Sequence, residues 1–181
     1  MTKRMQLIFG VSSIAFLLLS FTFLSTKVFA QQSELSDEVR STISMNCSSF
    51  RQSLKSLQQA DSKTRVILGT TYQSILSNYI SPLNARLVKN NTPNIPLTEI
   101  QGDFVAARDD FTARFIKYSQ SLESLIAIDC QNSPDDFYHQ LERVRKEREK
   151  LSISVEKVNE ALADHKEAVT QFKESLEKKN D

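Results

Sequence analysis

Along the last third of the chain, apolar residues return at alternating steps of four and three. Phe137, Leu141, Val144, Leu151, Val155, Val158, Leu162, Val169, Phe172 and Leu176 keep a 3.5-residue period. Arg148 and His165 occupy the two remaining positions of that seam. This is the period of a coiled-coil-type stripe. Ser133-Pro134-Asp135-Asp136 stands before it. A capping Ser, a Pro at the first helical position and an acidic pair at the positive helix end all favour a start there. The pattern predicts one helix running to about residue 178, roughly 65 Å long at 1.5 Å per residue. A lone helix of this polarity does not persist, so the seam needs a partner.

A second helix is predicted over about 98–130. Ile100, Phe104, Ala107, Phe111, Phe115, Tyr118, Leu122 and Leu125 line one face, and Thr98 with Gln101 has capping-box spacing. Ile116, Ile126 and Ile128 lie off that face and predict a wide buried stripe touched by more than one neighbour.

In the first half, Val39, Ile43, Cys47, Phe50, Leu54 and Leu57 form one stripe, and Leu68, Ile75, Tyr79, Leu83 and Leu87 another. Asp61 and Thr64 continue the same register between them. One helix over about 36–88 fits this pattern. So does a pair broken near Ala60-Asp61-Ser62, because Asp and Ser favour caps. Pro82 is expected to kink the helix that contains it. The segment 90–96, rich in Asn and Pro, predicts the one clear loop.

The apolar stretch Leu7 to Leu24 behind Lys3 and Arg4 reads as an export leader, and Val28-Phe29-Ala30 supplies a cleavage pattern ahead of Gln31. An uncleaved anchor through residues 7–24 is the rival, since 18 such residues approach a bilayer span. The predicted organisation is a leader over 1–30 and a single helical domain over 31–181, outside the cytoplasm. Cys47 and Cys130 both fall in the exported part, where one internal pairing is open to them. Free thiols and a bond between chains are the alternatives. If helix 98–130 starts beside residue 79, Cys130 ends beside Cys47. The three long segments then match in length, as an elongated antiparallel three-helix bundle. Four helices with a break near residue 60 is the other architecture.

Composition narrows the fold and the function classes. Three Gly and four Pro in 181 residues argue against turn-rich β folds and Gly-rich nucleotide loops. The whole chain carries +1; without Lys3, Arg4 and Lys27 the exported part carries −2. That balance excludes a strongly basic nucleic-acid binder. The basic run Arg143, Arg145, Lys146, Arg148 and Lys150 is interleaved with Glu142, Glu147 and Glu149, the pattern of a solvated helix face.

Candidate chemistry is sparse. His139 and His165 have no metal-ligand spacing. His165 reads as a packed seam residue, with a pH-sensitive seam as the sharper alternative. Arg148 either fixes register or snorkels outward on its stem. Neighbouring acids at Asp109-Asp110 and Asp135-Asp136 point about 100° apart on a helix and cannot flank one bond. No nucleophile elbow or phosphate loop occurs. The expectation is a protein without catalytic residues, cofactor or metal. The aromatics Tyr72, Tyr79, Phe104, Phe111, Phe115 and Tyr118 read as bundle core, or alternatively as a groove for a partner helix. Asn46-Cys47-Ser48 and Asn90-Asn91-Thr92 are glycan acceptors only in a eukaryotic secretory path.

Several stretches carry a resemblance: Arg65-Val66, Tyr72, Tyr79, Pro82-Leu83-Asn84, Arg86-Leu87, Ala106-Ala107-Arg108-Asp109, Phe111, Ile128-Asp129-Cys130 and Phe137-Tyr138. Over about residues 45–170 the chain resembles small exported helical proteins of ultrasmall, reduced-genome bacteria. The resemblance implies an envelope or secreted location, a paired Cys and a helical fold, and nothing about mechanism.

Two function classes follow. The first is a non-enzymatic structural or interaction protein, a rod that tethers, spaces or binds a protein partner, with self-association open to it. The second is an extracytoplasmic helical chaperone or binding module that grips apolar client segments.

Overall fold

The computed structural model describes residues 35–180, and these are helical with short connections. The elements are α1 (Asp37–Met45), α2 (Cys47–Ile75), a π turn (Leu76–Ile80), α3 (Ser81–Lys89), α4 (Ile95–Ala127) and α5 (Pro134–Asn180). Because α2, the π turn and α3 are continuous, the described residues make four helices: α1, the 47–89 stretch, α4 and α5. From Leu35 onward the chain forms one compact unit. The leader expected over 1–30 and its cleavage site lie outside the described residues.

The break expected near residue 60 falls elsewhere. α2 passes through Ala60-Asp61-Ser62 without interruption, and the chain turns instead at Asn46. Asn46 leaves helical geometry at φ −102°, ψ 13°. Both its backbone N–H and its side-chain Nδ2 donate to Thr42 O. The side chain competes for a helical carbonyl, which is why Asn ends helices. Asp61 does not cap because its carboxylate is engaged by neighbouring helices instead.

Helix α4 begins earlier than the capping-box spacing suggests. Asn94 is the N-cap, accepting from Leu97 N at 3.1 Å, and Pro96 sits in the first turn, where a missing N–H costs nothing. Gln101 therefore takes no part in a capping box; its Oε1 accepts from Asn84 Nδ2 at 2.7 Å. At the other end α4 stops at Ala127, and Cys130 lies in the turn before α5.

The hairpin between α3 and α4 is tight. Asn91 adopts the left-handed conformation, φ 53°, while Thr92 N donates to Leu87 O and Asn91 N to Val88 O. These are the two bonds of a Schellman C-cap, with Asn in place of Gly. The closure puts the start of α4 beside Asn84, whose Nδ2 also donates to Leu97 O at 3.0 Å. The expected start beside residue 79 is thus corrected. The loop does not run back, because the cap and Asn94 close it within five residues.

The π turn has the largest consequence for side-chain facing. Pro82 cannot donate a backbone hydrogen bond to residue 78. The helix is not broken there; it widens over Leu76–Ile80 just before the proline. One residue more per turn advances the buried face. Of the expected stripe, Leu68, Ile75, Leu83 and Leu87 are half-buried, whereas Tyr79 is turned out to 68%; past Tyr72 (4% exposed) the most buried positions become Ile80 (1%) and Asn84 (8%).

Residue contacts set the helix directions. Asp61 meets Tyr118 and Arg108 meets Gln73, so α2 and α4 are antiparallel. Gln140 meets Ser121 and Lys157 meets Asp110, so α4 and α5 are antiparallel too. The core divides into two clusters. One gathers Ile43, Cys47, Phe115, Tyr118, Leu122, Leu125, Cys130, Phe137 and Val144. The other gathers Tyr72, Ile80, Phe104, Phe111, Val158 and Ala161. On the expected α4 face Phe104, Phe111, Phe115, Tyr118, Leu122 and Leu125 are buried and Ile100 and Ala107 half-buried; of the residues expected to widen it, Ile126 and Ile128 are half-buried against the core and Ile116 is 46% exposed.

The α5 seam is accompanied by a second stripe that its apolar period does not announce. Gln140, Ser154 and Ala161 are buried, at seven- and fourteen-residue spacing on the α4 side of the seam. Small side chains there let α4 and α5 approach. Gln140 Nε2 is satisfied by Ser121 O at 2.8 Å, and Ser154 Oγ by Leu151 O.

Candidate functional site

An apolar opening lies where α1, the start of α2 and the start of α5 meet. Val39, Ile43, Phe50, Leu54, Phe137, Tyr138 and Leu141 line a groove of about 540 Å³, rimmed by Glu38, Thr42 and Ser53. Phe50 and Phe137 stack at its floor, ring centroids 6.2 Å apart. Ile43, Cys47, Phe50 and Leu54 recur at three- and four-residue steps, so one helical stripe supplies both groove wall and cysteine. The turn at Asn46 separates α1 from α2 and leaves the cleft between α1 and α5 that the groove occupies.

Cys47 and Cys130 stand at disulfide distance, Cα–Cα 5.4 Å, across 83 residues of sequence. The pairing expected from the sequence is therefore present in the geometry. It ties the start of α2 to the turn between α4 and α5 directly behind the groove. Asp129 braces that turn: its carboxylate accepts from Asn132 Nδ2 and Gln131 N, and these bonds, the Asn132 side chain foremost, hold it below its usual acid range. Arg40 joins α1 to the start of α5. Its Nε donates to both oxygens of Asp135, and its Nη1 donates to Asp37.

Arg148 points outward, with its side chain 55% exposed, and its Nη2 lies 3.7 Å from Asp61 Oδ1. Tyr118, itself buried, donates its hydroxyl to Asp61 Oδ2 at 2.6 Å. Burial first, then the Asp61 carboxylate, raises the Tyr118 phenol well above its ordinary range. These three residues bridge α2, α4 and α5 between the two apolar clusters, with Arg65 lying over the Phe115 ring nearby, 5.4 Å from its centroid.

The other expected positions are accounted for individually. His165 is half-buried, its Nε2 is covered and has no partner among the described residues, and desolvation lowers its pKa. Pro82 follows the π turn. Asp109 pairs with Arg108; Asp110 pairs with Arg114 and Lys157. In the basic run, Arg145 pairs with Glu142 and Lys150 with Glu147, as a solvated face does. Tyr72, Phe104, Phe111, Phe115 and Tyr118 fill the core and form no groove. Among the described residues no group of three or more His, Cys, Asp or Glu is arranged to hold a metal, and no helix is long and apolar enough to cross a membrane.

The groove itself was not read from the sequence. Its walls come from two segments far apart in the chain, 38–54 and 137–141, and within the sequence their apolar residues read only as packing stripes. Comparison with protein-family models, curated proteins and solved structures finds no match to this chain.

Proposed function

We propose that this chain is a non-enzymatic exported interaction protein of the cell envelope or surface. In this reading an elongated bundle of the three long helical stretches is a rod that receives an apolar segment of a protein partner in the Phe50–Phe137 groove. The observation that carries it is the groove: seven apolar side chains converge on an open surface, where an apolar concavity with few polar groups is the usual form of a recognition site. The cysteine pair supports export, because disulfides persist in oxidising compartments. The leader over 1–30, cleaved before Gln31 or kept as an anchor, supplies the route. The resemblance to exported helical proteins of reduced-genome bacteria agrees with this.

The same apolar groove supports a second reading, an extracytoplasmic chaperone that grips exposed client segments. The two differ in partner number. Cross-linking from position Tyr138 on intact source cells separates them. A single dominant cross-linked species, lost in Leu54→Asp, is expected for the interaction protein; a broad set of unfolded clients indicates the chaperone. No export, read as a cytoplasmic protein with an intact residue 1, overturns both.

A further inference from the structure

A second concavity lies at the far end of the molecule, between the α3 region and the later part of α5. It measures about 490 Å³ and is lined in part by Tyr79, Leu83, Arg86, His165, Lys166 and Val169. Leu83 and Val169 give it an apolar floor. Arg86 stands on one wall and Lys166 on the other. No carboxylate is among the lining residues, and neither cation has an ion-pair partner among the described residues. This contrasts with the α4–α5 groove on the opposite side of α5, where Asp103, Asp110, Glu160 and Asp164 face Arg114 and Lys157.

The widened turn over Leu76–Ile80 makes this cleft what it is. Without it, Tyr79 would continue the buried stripe. With it, Tyr79 stands 68% exposed at the cleft. π turns inside α-helices are frequent at functional sites. Exposed Tyr and Arg beside a small apolar floor are the residue types that anchor protein interfaces. The cleft runs along two roughly parallel helical stretches, a shape that a third helix fits.

We infer that the cleft between α3 and α5 is a second docking surface that takes an acidic amphipathic helix from a partner protein. Leu83 and Val169 receive its apolar residues, Tyr79 packs along it, and Arg86 and Lys166 pair with carboxylates on its two flanks. Opposite charge on both walls orients such a helix and rejects basic ones. The inference is independent of the Phe50–Phe137 groove. Together the two surfaces, at opposite ends of the long helices, would make the rod a two-ended connector.

The test uses the full-length protein in its oxidised form and a synthetic amphipathic helix with Leu at i, i+3, i+4 and i+7 and Glu on both flanks. Binding is followed by fluorescence anisotropy, and the contact surface by amide hydrogen exchange. The Glu peptide is expected to bind, to weaken with salt, and to protect amides in 78–90 and 163–173. A Lys-flanked version should bind at least tenfold more weakly. R86E with K166E should reverse the preference, and Leu54→Ser, in the other groove, should leave it unchanged. Circular dichroism confirms that each variant is folded; should R86E/K166E not fold, Tyr79→Ala replaces it, with at least a threefold loss expected. Equal binding of the two peptides, or protection elsewhere on the molecule, overturns the inference. So does binding of anionic phosphatidylglycerol vesicles in place of the peptide, which would make the cleft a lipid surface.

Discussion

Tyr118 donates its hydroxyl hydrogen to Asp61 across 57 residues of sequence, at 2.6 Å, from a ring that is 1% exposed. The acceptor occupies a seam position of α2 where an apolar residue would otherwise stand. Arg148 interrupts the α5 seam at the same level and approaches the other Asp61 oxygen. Two apparent faults in two apolar stripes are thus one contact. Sliding either helix by a heptad would preserve the apolar pattern but separate these groups, so the contact selects one register.

Removing the hydroxyl should be measurable. Tyr118→Phe leaves Asp61 without its short hydrogen bond and should destabilise the protein by about 1–3 kcal/mol, the range for a bond to a charged partner. Arg148→Met should cost less than about 1 kcal/mol, because that ion pair is long and half-exposed. Urea unfolding of both variants checks the order. A larger loss in Arg148→Met would mean that the arginine, not the tyrosine, holds Asp61.

The cysteine pair closes a long loop. With a sequence separation of 83 between the partners, the chain-entropy model gives about 4–5 kcal/mol of stabilisation. Changing both residues to Ser should lower the melting temperature with little loss of helical signal, since the helices are otherwise intact. The Phe50–Phe137 groove should loosen first, being adjacent. A non-reducing peptide map of exported protein should recover Cys47 and Cys130 in one linked species.

Two α5 substitutions separate seam from surface. Val158 is fully buried, and Val158→Asp should unfold or destabilise the protein by more than about 3 kcal/mol, because an unpaired charge would be desolvated. Glu160, exposed two residues on, should tolerate Ala within about 0.5 kcal/mol. Ser154→Leu tests the close approach to α4. Overpacking at this fully buried position should cost about 1–3 kcal/mol. Thermal melts of the three variants give the ranking directly.

His165 should make stability depend on pH. Burial lowers its pKa in the folded state, so the unfolded chain binds the proton more readily. The contribution of neutral His165 is complete above the unfolded value, about 6.5, and is lost as pH falls through 6.5 toward the folded value. Arg86 and Lys166, which share its cleft, oppose a further positive charge there. His165→Gln should flatten the melting temperature between about pH 7.5 and 5.5 relative to the parent. The Asp129 carboxylate, whose pKa is lowered, acts at lower pH and leaves this window unaffected.

What could be read in the sequence follows one rule: it was local and periodic. The α4 stripe from Phe104 to Leu125 and the α5 seam behind Pro134 each repeat within a few residues; in the seam Phe137, Val144 and Val158 are buried, most other positions are half-buried, and Leu176 is 40% exposed. The helical fold followed from them, and the cysteine pairing followed from compartment and count. Tertiary structure decided the rest. Asn46, not Asp61, ends a helix, because Tyr118 and Arg148 engage the Asp61 carboxylate and Asn46 is left to bond its own backbone. One wide turn before Pro82 exchanges Tyr79 for Ile80 at the buried face and brings in Asn84, which is held there by Leu97 and Gln101 on another helix. Ser154 and Gln140 are buried although polar, because α4 approaches closely enough to cover them. The placements of Asp61, Asn84 and Gln140 depend on Tyr118, Leu97 and Ser121, each on another helix, and a 3.5-residue period carries no information about such a partner.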